Sequence, residues 1–356
     1  MITTSLCLTL RGDAPTLEEC LRSCCRCFDE IVVAEVGASG PAQAVARRFA
    51  DRYFHYQWQG DASDASNFAF SKATCDYIMW LEPEDILLPA DARRLWRLHR
   101  SLPPDTDAVV MCHNLSFDAQ GLPNVRAWPV RMVRRAAGIL WQGRVHPLLP
   151  ESGTVRRADV AVTRRDAAAD GSAALAAYDA LRRGEETLSL PERLDYARCL
   201  RDAGRFAEAA EEFEAVLAQE DAPDRVEVCF ELSFCYEKLG AQGRMQEALL
   251  RSLLYAPPQA TVCCRIGEQF FARGEWRSAA YWYEQALKSE TLPDSGVQYT
   301  DYLGYIPALQ LCLCYYRLGD VTRAVEMNRM AARFKPGDAS VLANERFFAD
   351  PKHRAE

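Results

Sequence analysis

No stretch of this chain is apolar over the roughly 20 residues that a membrane-spanning helix needs. The N-terminus, MITTSLCLTLRGD, sets no basic segment ahead of a long apolar one, so a secretory leader is not expected. Positive charge is not in excess either. Against 42 lysines and arginines stand 50 aspartates and glutamates, a net charge of -8. A nucleic-acid binder needs a basic stripe, so nucleic acid is not an expected partner. A second CxxC is also missing. Cys24 and Cys27 have the spacing of a metal or redox pair, but nothing completes a zinc site around them. Leu17, Cys20, Leu21, Cys24 and Phe28 instead recur at helical spacing and form one apolar face. The 14 cysteines thus read as small buried hydrophobes in a reducing compartment. A soluble, cytoplasmic protein is the expectation.

What the chain has is 356 residues, 49% of them apolar and 26% charged. That is enough for two domains or more, and its two halves keep different rhythms. In the first, TTSLCLTL, EIVVAEV, RYFHYQW and DYIMWL read as strands, with TLEECLRSCCRCF and GPAQAVARRFA as helices between them. DAVVMCHNLSF and VRAWPVRMVRR read as later strands. A βαβα order implies a mostly parallel sheet with helices on its faces. Ligands of such sheets bind beyond the carboxyl ends of the strands, where LRGD, EVGASG and LEPED fall.

The second half is helical and repetitive. Gly204, Gly243, Gly274 and Gly319 are each followed five residues later by an alanine: Ala209, Ala248, Ala279 and Ala324. Ala197, Gly267 and Cys312 lie seven residues before a turn glycine, and Phe270 and Tyr315 four before. In the second unit Ser233 and Tyr236 take these places when counted from Gly240. Small residues let paired helices approach and aromatics fill the space between pairs. The layout resembles the tetratricopeptide repeat (TPR), whose period is about 34 residues and whose units stack into a solenoid with a concave surface. TLPDSGVQYTDYLGYIP is an insertion before the last unit. The alanine-rich stretch between the halves reads as a linker with one helix near 172–183. The expected divisions are 1–165, 166–190 and 191–350.

LEPED sets Glu82, Glu84 and Asp85 around Pro83 directly after an apolar run. Two readings stand: hard oxygen ligands for a divalent cation, or a charged turn ahead of a helix N-terminus.

In order and spacing, LCLTLRGDAPTLEECLRS, DEIVVAEVGASG, SNFAFSKATCDYIMWLEPED and RMVRRAAGILWQGRVHP resemble the successive blocks of family 2 glycosyltransferases of the GT-A fold. The similarity spans roughly residues 3–165, and the subgroup it points to carries TPRs behind the catalytic domain. The resemblance implies a Rossmann-like mixed sheet in an α/β domain, followed by an all-α TPR-like solenoid. It implies a nucleotide-sugar donor, a UDP-sugar first, and Mn2+ or Mg2+ to neutralise the diphosphate leaving group. Glu82 and Glu84 fall on the family's aspartate-any-aspartate block, with Glu84 as a metal ligand. His146 of W-x-G-x-V-H is a second candidate ligand. Donor contacts fall on Glu35, Gly37, Asn67, Glu82, Arg131 and Arg134. Asp13 and Asp85 are the candidate proton acceptors.

The family's pattern is broken at Gly40, which replaces an aspartate, and at Ser66, which replaces an arginine. Pro147 replaces a glutamate that could serve as base. A late histidine of the family should fall near Thr163 or Arg164. His55, His99, His113 and His353 stand in no motif. Two functions follow. One is metal-dependent sugar transfer to a protein, peptide or glycan acceptor gripped by the repeats. The other is a catalytically degenerate relative working as a scaffold through those repeats. A homodimer is a further expectation, because solenoids also serve as dimer surfaces.

Overall fold

The computed structural model describes residues 2–165, 171–289 and 296–350. The chain divides into two compact units. Met1–Ser116 and Arg126–Asp195 form the first, Phe117–Val125 and Tyr196–Glu356 the second. The stretch expected as a linker folds with the first unit from residue 171 on; residues 166–170 lie outside the described residues.

In the first unit the order is β1 (Thr4–Gly12), α1 (Leu17–Cys24), β2 (Glu30–Ala38), α2 (Gly40–Phe49), β3 (Arg52–His55) and α3 (Ala62–Lys72). Then come β4 (Tyr77–Trp80), β5 (Asp85–Ile86), α4 (Pro89–Ser101), β6 (Ala108–Phe117) and β7 (Pro123–Ala127), with the 117–125 stretch lying with the second unit. β8 (Val130–Arg134), β9 (Val155–Arg164) and α5 (Ser172–Arg183) complete it. β3, β2, β1 and β4 run parallel side by side. β8 then inserts antiparallel between β4 and β6. β9 runs parallel to β6 and antiparallel to the short β5. The sheet is mixed.

Strand alternation sorts the apolar residues into two layers. Leu6, Leu8, Leu10, Val33 and Met79 pack with Leu17, Cys20, Leu21 and Cys24 of α1 on one face. Cys7, Val32, Ala34 and Ile78 pack with Phe70 and Trp141 on the other. VRAWPVRMVRR, expected as one strand, is two, broken at Trp128–Pro129. Proline has no N–H to give a ladder. β9, which the sequence reading did not anticipate, carries exposed charged residues over much of its length, so its alternation is faint.

The second unit consists of helical hairpins. These are α6/α7 (Leu190–Asp202, Phe206–Leu217), α8/α9 (Arg225–Lys238, Gln242–Arg251), α10/α11 (Ala260–Ala272, Trp276–Lys288) and α12/α13 (Tyr305–Arg317, Val321–Phe334), followed by α14 (Ala339–Ala349). The start of α6 folds with the first unit. Each first helix ends on a left-handed glycine: Gly204, Gly240, Gly274 and Gly319, with φ between +70° and +83°. After each, the next amide donates five residues back, as from Arg205 to Leu200 and from Ala241 to Tyr236. This is the Schellman closure, which glycine adopts without the Cβ penalty.

The second repeat therefore turns at Gly240, whereas Gly243 lies inside α9. With the register corrected, the position five after the turn glycine holds Ala209, Met245, Ala279 and Ala324, all fully buried. Ala197, Ser233 and Cys312, seven before it, are also fully buried. At Gly267 a Cβ would stand 3.0 Å from the ring of Tyr283, so the aromatic uses the space that the small residue leaves.

The insertion continues as β10 (Val297–Tyr299) and a 3-10 turn over Thr300–Leu303; residues 290–295 lie outside the described residues. Tyr299 and Tyr302 pack on Phe230 of α8, with ring centroids 5.6 and 5.9 Å away. Lys335 fixes the turn by bonding Asp301 at 2.7 Å and Asp118 at 3.0 Å. All 14 cysteines are free thiols. Among the described residues, no helix is long and apolar enough to cross a membrane.

Candidate active site

The carboxyl ends of β1, β2 and β4 bring the 11–13, 35–38 and 81–85 segments to one edge of the sheet, with Gly12 opposite Ala38 in register. Gly12 and Gly37 both have positive φ, which lets the backbone turn sharply there. Asp13 projects exposed beyond the end of β1.

Glu35 is buried at the end of β2. One oxygen accepts the Ala38 amide at 2.7 Å, and the other meets His55 Nδ1 at 2.6 Å. Burial acts to raise its pKa, but the His55 contact and the Ala38 and Gly37 amides prevail and hold it below the usual range.

The three acids of LEPED have three different fates. Asp85 is fully buried. It accepts Arg131 Nη1 at 2.8 Å, His113 Nε2 at 2.9 Å and the Glu82 amide at 3.0 Å. Burial pushes its carboxyl up, but Arg131 and His113 outweigh that and keep it ionised, well below the carboxylate range. His113 is driven down by burial and by Arg131, so it meets Asp85 as a neutral ring donating its Nε2 proton. Arg131 is itself fully buried, with its guanidinium 3.8 Å over the ring of Trp80. Glu82 pairs with Arg164 of β9 at 2.5 Å. Glu84 is half-buried, and among the described residues no cationic side chain forms an ion pair with it. Burial raises its pKa, its own amide and the nearby Arg164 oppose, and neighbouring Glu82 and Asp85 add to the rise. Among the described residues, one turn thus holds two carboxylates paired with arginine and one that is not paired.

Residues 5–163 match the model of glycosyl transferase family 2. The matched segment falls largely on the first unit, and that family is what this part of the chain is similar to. Beyond it, a TPR repeat-containing protein of Synechococcus elongatus is 33% identical over 88 residues, which are 25% of this chain and 22% of that protein. This chain thus spans about a fifth of that relative's length. The solved structure of PilF from Pseudomonas aeruginosa is similar at 15% identity and a TM-score of 0.37, over 50% of this chain and 71% of PilF. A TPR protein of Thermus thermophilus is similar at 18% identity and a TM-score of 0.35, over 50% of this chain and 89% of that one.

Within the matched segment, some residues expected at the donor lie elsewhere or are already engaged. Asn67 on α3 spends both ends of its amide on the backbone of Trp141, giving to the carbonyl at 3.2 Å and taking from the amide at 2.9 Å. It anchors the WQGRVH segment under Trp80, whose ring lies 4.8 Å from that of Trp141. His146 is exposed and meets Asp195 at 2.6 Å, an oxygen that Tyr178 also donates to. Nearby Arg144 binds Glu192 and the Thr187 carbonyl, so this loop is docked on α5 and the start of α6.

Arg134 pairs with Tyr77 in register, at the amino end of β4, and bonds Asp107. Arg131 lies nearer the carboxyl end. In an antiparallel strand a three-residue step moves along the sheet and changes face, so the two arginines do not share the crevice. His55, His113 and Arg164 are the residues that sequence reasoning did not single out as partners. Their carboxylates are 20, 28 and 82 residues distant, and nothing local marks such pairs. His353 lies outside the described residues.

Proposed function

We propose that the family 2 domain transfers a sugar from a nucleotide-sugar to a protein, peptide or glycan acceptor, and that the repeats bind the acceptor or a partner. The observation that carries this reading is Glu84, an acid at the mouth of the β4 strand with no ion pair among the described residues, whose pKa burial and two acidic neighbours raise against the pull of Arg164. Such a group favours a cation. Hard oxygen donors suit Mn2+ or Mg2+, and Glu84, with Glu82 beside it, would hold the ion. When bound, it supplies positive charge to the diphosphate as the glycosidic bond breaks.

The chain's own residues do the rest. Arg131, Asp85 and His113 fix the turn that presents Glu84. Arg164 holds Glu82 and places a second positive charge beside the leaving group. Glu35 shapes the Gly37 turn that borders the donor. Asp13, exposed at the end of β1, is the carboxylate free to take the acceptor's proton; Asp85 serves to position. A UDP-sugar is the first donor to try.

A second reading is favoured by the engaged side chains. Glu35 and Asn67 have their hydrogen-bonding atoms occupied by protein, as in a crevice that no longer takes a donor and leaves the repeats to act as a scaffold.

A thermal-shift titration with manganese, then manganese with UDP, GDP and their sugars, separates the two. Binding to the folded state alone raises stability by about 2.7 kcal/mol at a hundredfold excess over Kd. A metal-dependent shift with one nucleotide, lost in Glu84→Gln, supports transfer. A nucleotide shift that ignores metal removes the metal role and gives the phosphates to Arg164. No shift with any ligand favours the scaffold.

A further inference from the structure

The second unit holds a cavity of about 360 Å3 between the start of α8, the segment entering α10, and the insertion. Phe230, Tyr255 and Tyr299 line it, together with Gln259 and Gln298. Two acids, Asp224 and Glu227, open onto it. One arginine, Arg225, also lines it, but its guanidinium is turned to the carbonyl oxygens of Gln219 and Glu220 and lies 5.0 Å over the ring of Tyr255.

Glu227 is the deepest charged group. Its side chain is 11% exposed. Arg198 stands 3.2 Å from its Oε1 without making an aligned hydrogen bond, and the Val297 amide reaches its Oε2 at 3.4 Å. Arg198 is shared with Glu231, which also takes Arg201. Burial, with Glu231 and Asp224 close by, raises Glu227 to about 7 against the opposing pull of Arg198. The field at this carboxyl already favours an added proton. Aromatic faces beside a carboxylate are the surroundings that stabilise an organic cation.

We propose that this cavity is a recognition pocket for a basic side chain, lysine or arginine, of a bound peptide. The proposal rests on the reading of the repeats as the partner-binding module. The volume accommodates one long side chain. The ring faces of Phe230 and Tyr299 take its methylenes and its charge, and Glu227 receives its N–H groups with Asp224 at the entrance.

The test uses the full chain and three acetylated, amidated tripeptides, Gly-Arg-Gly, Gly-Lys-Gly and Gly-Glu-Gly, titrated by NMR. Saturable shifts with the arginine and lysine peptides, weakening with added salt and absent with the glutamate peptide, are the expected result. Glu227→Gln should weaken the basic peptides about tenfold, equivalent to about 1.4 kcal/mol. Asp224→Asn is the second variant: φ at this position is +47°, which asparagine tolerates, so a smaller loss is read on an unstrained backbone even if Glu227→Gln folds poorly. Equal binding of the glutamate peptide, or full affinity in both variants, overturns the proposal. Manganese–nucleotide binding measured on the same samples keeps the two readings apart. Its loss would bear on the transferase reading alone, and loss of peptide discrimination on the pocket alone.

Discussion

Asp85 and Arg131 are 46 residues apart in sequence and touch in a site with no exposure to water for either. Removing one partner of such a pair leaves the other buried and uncompensated, which typically costs about 3–5 kcal/mol. Asp85→Asn should therefore lower stability by that order in urea melts, while Glu84→Gln, next to it, should change stability little. The pH dependence has a definite sign. The Asp85 carboxyl is depressed in the fold, so its contribution is present above the ordinary carboxylate pKa of about 3.9 and is lost as pH falls below that value. Acid titration of the melting temperature should show a steeper fall below about pH 4 in the wild type than in Asp85→Asn. LEPED could be located from sequence because three acids follow an apolar run. Which of them stays without an ion pair among the described residues could not, because Arg131, His113 and Arg164 arrive from β8, β6 and β9.

At the scale of elements, the repeats were legible because their signal is local. A helix stop needs a residue at positive φ, and glycine supplies it within a few positions of the helix it ends. The second repeat shows the limit. Gly240 and Gly243 are three residues apart, and only conformation distinguishes the turn from the helix interior. Gly240→Ala forces alanine to φ +70° and should destabilise by about 1–2 kcal/mol. Gly243→Ala meets nothing within 4 Å at an ordinary φ and should stabilise by about 0.5 kcal/mol, within the usual glycine-to-alanine range. Chemical denaturation of the two variants checks both, and the same sign for both would undo the register. VRAWPVRMVRR shows the reverse failing: an apolar pattern continued across Pro129, but the ladder could not.

For the whole molecule, the first unit's α/β character and the second unit's helical hairpins were readable from period 2 and period 3.6 alone. The division between them was harder to see. α5 and the start of α6 belong with the first unit through Arg144, Tyr178, Glu192 and Asp195, and the 117–125 stretch belongs with the second. Ion pairs and hydrogen bonds between distant segments accompany those assignments. The thiols give a global test. Cys7, Cys20, Cys24, Cys229, Cys235, Cys263, Cys264, Cys312 and Cys314 are buried and none is bridged. Burial raises thiols such as Cys229 and Cys235 to about 12, so almost no thiolate is present at neutral pH. Iodoacetamide with mass mapping should leave these nine unlabelled in the native protein and label them together on unfolding. Rapid native labelling of Cys263 or Cys264 would contradict the packing of α10.

The cavity of the second unit is walled on one side by Val297–Tyr299, a strand inserted between repeats, and on the others by the repeats themselves. Repeat helices carry the solenoid's stability through their buried small residues and cannot change freely. An inserted strand has no such duty along its whole length. On the proposed reading the preference for a cation stays with Asp224 and Glu227 at the start of α8, while Gln298 and Tyr299 of the insertion can be exchanged to adjust the fit without disturbing the stack.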